Sequence, residues 1–260
     1  MSFLGHAQKE QSSDEVYFYK PKVDIPVTAV AALGTLYNFT QIYSKDASSE
    51  AAIMALDPSN VNSFDRGAAG NFDEDAKALS DIFFYAAFPA PLVAFAADKH
   101  MRQDYFKLSL IYLETISLTG IVYSTSQQIN DRRRPFTYNT DLDIVKRTRG
   151  SGRNSFIGGH PAVVATSSFM IAKMYSDYHP DNGFKYALYG LAAASSFATA
   201  YLRVEAGEHF PSDVIVGSVV GAGIGWLIPH LHKNKNYSKR KLGVLPFTGD
   251  FHGLQLSYKF

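Results

Sequence analysis

Tyr201-Leu202-Arg203-Val204-Glu205-Ala206-Gly207-Glu208-His209-Phe210-Pro211-Ser212-Asp213 sets a guanidinium, an imidazole and a carboxylate at fixed spacing, with five and then three residues between them. A guanidinium matches two phosphate oxygens at once, and an imidazole oriented by a carboxylate is a nucleophile. Two earlier fragments, Arg134-Pro135 and Gly158-Gly159-His160, complete an anion site. Phosphoryl transfer needs positive charge around the equatorial oxygens, an in-line nucleophile and an acid for the leaving oxygen. On this reading Arg134 and Arg203 supply the charge, and Gly159 offers a backbone N–H at a helix start, where the dipole favours an anion. His209 attacks phosphorus, Asp213 accepts its other ring N–H, and His160 is the general acid. A plain helix N-cap is an equal reading of Asp213.

Composition narrows the setting. At 260 residues one large domain is the default. A net charge of +1 argues against nucleic-acid binding, and the absence of cysteine excludes disulfides and thiolate chemistry. The 14% aromatic content suits a membrane interface or an aromatic helical core. The mean hydropathy of −0.10 is low for a multi-pass membrane protein.

Six apolar stretches, at 24–44, 80–98, 105–126, 161–178, 184–203 and 212–232, each approach the roughly 20 residues that cross a bilayer as helix; the second and last look lipid-compatible, and the others could equally be core helices of a soluble bundle. Pro161 suits the first turn of the fourth, Ser212-Asp213 supplies an N-cap for the last, and Pro89 and Pro91 kink the second. Gly217, Gly221, Gly223 and Gly225 give the last helix a small face for close packing. Glu114, inside the third stretch, is expected to face the bundle and pair internally. His179 and His232 fall at helix ends, where capping or exposure is the ordinary role. Asp65-Arg66 could order the acidic connection over the site, although a surface ion pair is the more common outcome, and no metal-ligand cluster, Walker loop or dinucleotide fingerprint is recognisable.

Residues 1–23 form a polar tail whose Gly5-His6-Ala7 is also compatible with a signal-peptide remnant. Residues 24–232 make the helical domain, and 233–260 a basic tail ending in a strand-like alternation over 253–260. The basic turn at 98–103 and the basic tail belong on the cytoplasmic side if the helices span. The segments 127–160 and 204–211 then meet on the opposite side. A cleaved signal conflicts with this, because six spans and a cytoplasmic C-terminus require a cytoplasmic N-terminus.

Together the fragments resemble the type 2 phosphatidic acid phosphatase superfamily, which includes membrane lipid phosphatases, soluble bacterial acid phosphatases and vanadium haloperoxidases. Its signature is Lys, six residues, Arg-Pro; then Pro-Ser-Gly-His; then Ser-Arg, five residues, His, three residues, Asp. Arg134-Pro135, Gly159-His160 and Arg203/His209/Asp213 match, in order, over roughly 24–232. The lysine falls on Gln127, the second motif's serine on Gly158 and the third motif's serine on Leu202. Gln127 and Gly158 stand at phosphate-ligand positions, so one charge and one hydroxyl donor are replaced. Arg132 and Arg133 lie close enough to substitute, although solvated charge or headgroup contact is the ordinary role.

The resemblance implies an all-α bundle of the phosphatidic acid phosphatase/haloperoxidase type with six transmembrane helices. It implies metal-independent, cofactor-free hydrolysis of a lipid phosphomonoester or diphosphate through a phosphohistidine on His209. Undecaprenyl diphosphate, phosphatidate and lipid A phosphates all fit. The expected setting is a bacterial-type cell membrane, with the site facing the periplasm or exterior. Two alternatives stand beside it: a soluble periplasmic acid phosphatase of the same family, and a non-catalytic member.

Overall fold

The computed structural model describes residues 15–235 and 237, together with the backbone of 242–248 and 252–258. Residues 1–14, where the signal-remnant reading falls, lie outside the described residues. The helices are α1 (Pro21–Tyr43), α2 (Glu50–Met54), α3 (Glu74–Ala87), α4 (Ala90–Ala97), α5 (Tyr105–Ile129), α6 (Ile144–Thr148), α7 (Gly159–Tyr178), α8 (Phe184–Glu205) and α9 (Pro211–His232). A C-terminal hairpin pairs β1 (Leu242–Thr248) with β2 (His252–Tyr258) antiparallel, Leu242 opposite Tyr258.

The six apolar stretches become α1, α3 with α4, α5, α7, α8 and α9. The second breaks at Phe88-Pro89, and its halves bend by 45°. Proline lacks the N–H and crowds the preceding turn, which explains the break. The last helix starts one residue earlier than its expected cap. Phe210 is the N-cap, Pro211 opens the helix, and Ser212 and Asp213 already lie in its first turn.

Large apolar side chains face outward on the long helices, including Val30, Leu33, Ile82, Phe106, Phe197 and Val219. Asn38, Thr115, Ser124, Thr166 and Thr199 are buried instead. Apolar outside and polar inside is the arrangement expected of a bundle solvated by lipid. Met101–Ile129 and Pro211–His232 are long and apolar enough to cross a membrane, with mean hydropathies of 1.2 and 1.8. The bent α3–α4 pair is a third candidate. Two or three helices therefore meet that standard among the described residues, against the six expected.

Helix α7 is the most enclosed, and α9 lies against it at close range. A Cβ at Gly217, Gly221 or Gly225 would stand 2.3, 2.1 or 2.3 Å from the carbonyl oxygens of Gly158, Ala162 and Thr166. Only glycine permits this approach at a four-residue repeat. It fixes the relative height of the two helix starts. Gly223 faces open space.

Residues 15–20 and 232–234 meet at the far end of the bundle. Phe18 N–H donates to the His232 carbonyl and Asn234 N–H to that of Val16, each at 2.9 Å. Residues 15–20 therefore lie at the same end as 232–234, away from the connections 130–158 and 206–210.

Candidate active site

The starts of α7 and α9 are joined directly: the Gly158 N–H donates to the Asp213 carbonyl at 2.9 Å. Between α8 and α9 the chain turns at Gly207, whose φ is +70°. A Cβ there would meet the Asn71 carbonyl oxygen at 1.8 Å, so glycine is required twice over. Beyond the turn, the N–H groups of Glu208 and His209 both donate to the Arg203 carbonyl, at 3.1 and 3.3 Å. The loop thus folds back over the end of α8 and sets His209 beside Arg203.

His209 is buried, and its Nδ1–H donates to the Ser155 carbonyl at 2.6 Å. That bond fixes the tautomer and leaves a lone pair on Nε2. The ring borders a cavity of about 500 Å³ shared with Arg134, Arg203, His160, Glu208, Asp81 and Tyr123. Burial, and then the nearby guanidinium groups of Arg134 and Arg203, hold the imidazole well below its ordinary pKa. His209 is therefore neutral at physiological pH.

Two arginines face the cavity. Arg203 Nη1 donates to Ser80 Oγ at 3.2 Å and Asp81 Oδ1 at 3.1 Å. Its Nε is buried with no acceptor among the described residues. Arg134 Nε donates to the Asn154 carbonyl at 3.1 Å. Glu208 lies between them, paired with Arg134 Nη1 and, at 3.3 Å, with Arg203 Nη2. His160 Nε2 bonds Asp81 Oδ1 at 2.8 Å, and its ring stacks on Phe84 at a centroid distance of 4.1 Å. Gly159 opens α7, its Cα face pressed against the Tyr123 ring, where a Cβ would come within 2.5 Å.

Four sequence expectations change here. Asp213 does not accept from His209. Its place in the first turn of α9 turns Oδ2 back to the Phe210 N–H at 2.9 Å and the Ser155 Oγ–H at 2.6 Å. It reaches His209 indirectly, because the Ser155 residue it anchors presents its carbonyl to Nδ1. Gln127, fully buried, does not border the cavity; its Nε2 donates to the Ile157 carbonyl at 2.8 Å. Gly158 likewise stands away from the cavity, since its N–H serves Asp213 and a Cβ would meet Val214 Cα at 3.1 Å.

The fourth correction joins Arg132 and Asp65, neither of which is solvated charge. Arg132 Nη2 donates to Asp65 Oδ2 at 2.6 Å, and Nη1 binds Ser212 Oγ at 2.8 Å and Asp213 Oδ1. Asp65, with no solvent exposure, also accepts from the Ser212 N–H at 2.9 Å. It therefore satisfies an orphan donor of α9 from a distant connection. Arg66 turns instead to the carbonyls of Val61 and Ser59.

Ser155, Asp81 and Glu208 are the site residues that motif reasoning missed, while Asp65 was named only as one of a pair that could order its connection. Glu208 was adjacent to the proposed nucleophile, and an acid opening an apolar stretch marked Asp81. Ser155 acts through its backbone, which no side-chain pattern encodes. Asp65 pairs across 147 positions of sequence.

No curated protein matches the chain. Among solved structures it is similar to the first transmembrane PAP2-type phosphatidylglycerolphosphate phosphatase from Bacillus subtilis, at 17% identity and a TM-score of 0.46, covering 82% of this chain and 96% of that one. The model of the PAP2 superfamily matches residues 108–237, half of the chain, and the chain belongs to that superfamily.

Proposed function

We propose that this protein is a metal-independent phosphatase that removes phosphate from a lipid phosphomonoester or diphosphate. The observation that carries the reading is the orientation of His209: its free Nε2 borders the same cavity as two guanidinium groups. Nε2 attacks phosphorus while the bond from phosphorus to the leaving oxygen breaks and His160 donates a proton to that oxygen. Water then attacks the phosphohistidine, returns a proton to His160 and releases phosphate. Arg134 and Arg203 stabilise the equatorial charge throughout.

The cavity walls support a lipid substrate. Ile42 and Tyr43 of α1, Tyr85 of α3 and Tyr123 of α5 form an apolar side, while Lys77, Lys146 and Arg149 line it with cations. An amphiphile with an anionic head fits such a lining, whether undecaprenyl diphosphate, phosphatidate or a lipid A phosphate. The membrane arrangement proposed is multi-pass, with the site facing the periplasm or exterior. The far end bears the Lys99, Arg102, Lys233 and Lys235 cations, which favour the cytoplasmic side.

A second reading, a scaffold without turnover, is favoured by Glu208, whose carboxylate already engages both arginines. The deciding experiment gives purified protein a panel of lipid phosphates and looks for radiolabelled phosphate trapped on protein. Turnover with an acid-labile label, absent in His209→Ala, is expected. No turnover and no label across the panel would sink the phosphatase reading and leave the scaffold.

A further inference from the structure

We infer that Asp24, Glu114 and His232 form a buried binding site for one divalent transition-metal ion, Zn²⁺ being the best fit. The three residues come from α1, α5 and α9, and one ligand atom from each lies within 4.8 Å of the others. Asp24 and Glu114 are 5% and 6% exposed, so two carboxylates occupy the interior of the bundle. Among the described residues, no lysine or arginine side chain pairs with either. Lys233, next in sequence to His232, is engaged by Asp177 at 2.6 Å. A protonated His232 could match at most one of two buried carboxylates, whereas a divalent ion neutralises both.

The geometry separates a metal from a shared proton. His232 Nδ1–H donates to the Ile228 carbonyl at 2.9 Å, so Nε2 is the ring nitrogen that faces the carboxylates and, in the neutral ring, offers them a lone pair to share with a metal. Metal-bound histidines are commonly oriented by this kind of second bond. Nε2 stands 3.3 Å from Asp24 Oδ2 and 3.4 Å from Glu114 Oε2. Charge-assisted hydrogen bonds are shorter, about 2.7–2.9 Å. Ligands about 2.0–2.1 Å from a tetrahedral ion stand about 3.3–3.4 Å apart. Glu114 Oε2 is also buried with no hydrogen-bond partner among the described residues, and it points into this space. One imidazole with two carboxylates suits Zn²⁺ and its neighbours better than the all-oxygen preference of Ca²⁺ or Mg²⁺.

The site is separate from the phosphate cavity. Glu114 lies nine residues before Tyr123, the α5 residue that borders that cavity, about 14 Å along the helix axis. Its role is to staple α1, α5 and α9 where residues 15–20 meet 232–234, and neither proposal depends on the other.

The test uses full-length protein in detergent, stripped with a chelator and titrated with Zn²⁺. Metal analysis should find one ion per chain after dialysis, with a raised unfolding temperature. Co²⁺ in its place should give the intense visible absorption of a tetrahedral site. Glu114→Gln and Asp24→Asn should each lose the ion and the thermal shift. Sub-stoichiometric binding by the unaltered protein would overturn the inference, and that titration decides even if a variant misfolds. Retention of the ion at full stoichiometry by both variants would overturn it as well, because the ligands would then lie elsewhere.

Discussion

Two arginine clusters flank His209, and their carboxylate partners have different consequences. Arg132 sits between Asp65 and Asp213, both without solvent exposure, and bonds Ser212 as well. Both of its carboxylates are matched, and it ties the 45–79 connection to the start of α9. Arg134 and Arg203 face a cavity, share the single carboxylate of Glu208 and leave Arg203 Nε unfilled. Asp213 links the two, because its other oxygen anchors Ser155 and Ser155 orients His209. Membership in one Arg-Arg-Arg run therefore says little about role: Arg132 builds the floor of the site and Arg134 meets what enters it.

The comparison is broken most forcefully at the atom both clusters serve. His209→Ala should lose turnover to the background left by binding and charge alone, about three orders of magnitude or more. Residual turnover near the unaltered level would move the nucleophile elsewhere. Arg203→Ala should cost about 10²–10³ in kcat, the usual loss for one oxyanion donor, with little change in unfolding temperature. Arg132→Ala should reverse that pattern. Removing it leaves two buried carboxylates short of a partner, at about 3–5 kcal/mol, read as a large fall in unfolding temperature. If Arg132→Ala lowers kcat while leaving stability intact, the division between floor and cavity fails.

Glu208 sharpens the contrast inside the cavity cluster. Its carboxylate competes with an incoming phosphate for both guanidinium groups, so Glu208→Gln should tighten vanadate and phosphate binding. A gain of about tenfold corresponds to about 1.4 kcal/mol. Unchanged or weaker anion binding would mean that Glu208 positions the arginines instead of competing for them.

Much of the fold was legible because helix-length apolar runs and helix breakers are local properties. Each expected stretch has its helix, and Pro89 marks the break in the second. The small face of α9 was legible too, three of its four glycines meeting α7. The bonds within the site were less so. The motif spacing named His209, Arg203, Arg134 and His160, which share one cavity. Gln127, Gly158 and Gly159 match in position but do not border that cavity, because matching positions fix where a Cα lies and not where its polar atoms point. Gly158 shows the physical reason: the close approach of α9 leaves little room there for a serine side chain. Reinstating the family serine should therefore strain the α7–α9 contact before it helps bind phosphate. His232 misled in the opposite direction. A histidine in a last helical turn is usually solvated, and only the folding of α1 and α5 against it brings two acids to its ring.

The smallest expected effect concerns pH, and it separates the clusters by a different route. Burial acts first on His209, and the cations of Arg134 and Arg203 add to it; all three disfavour the imidazolium. The neutral nucleophile is therefore retained as pH falls through the ordinary histidine range near 6.5. The acidic limb of kcat/KM assigned to His209 should lie below that value. Arg134→Gln removes one repelling cation, so protonation becomes easier and the limb should move toward neutral pH, by about one unit or less. Arg132→Gln should leave the limb in place, because its charge is matched by Asp65 and Asp213 and does not face the ring. A limb at or above the ordinary value, or one that moves equally in both variants, would show that the two clusters act on His209 as a single field.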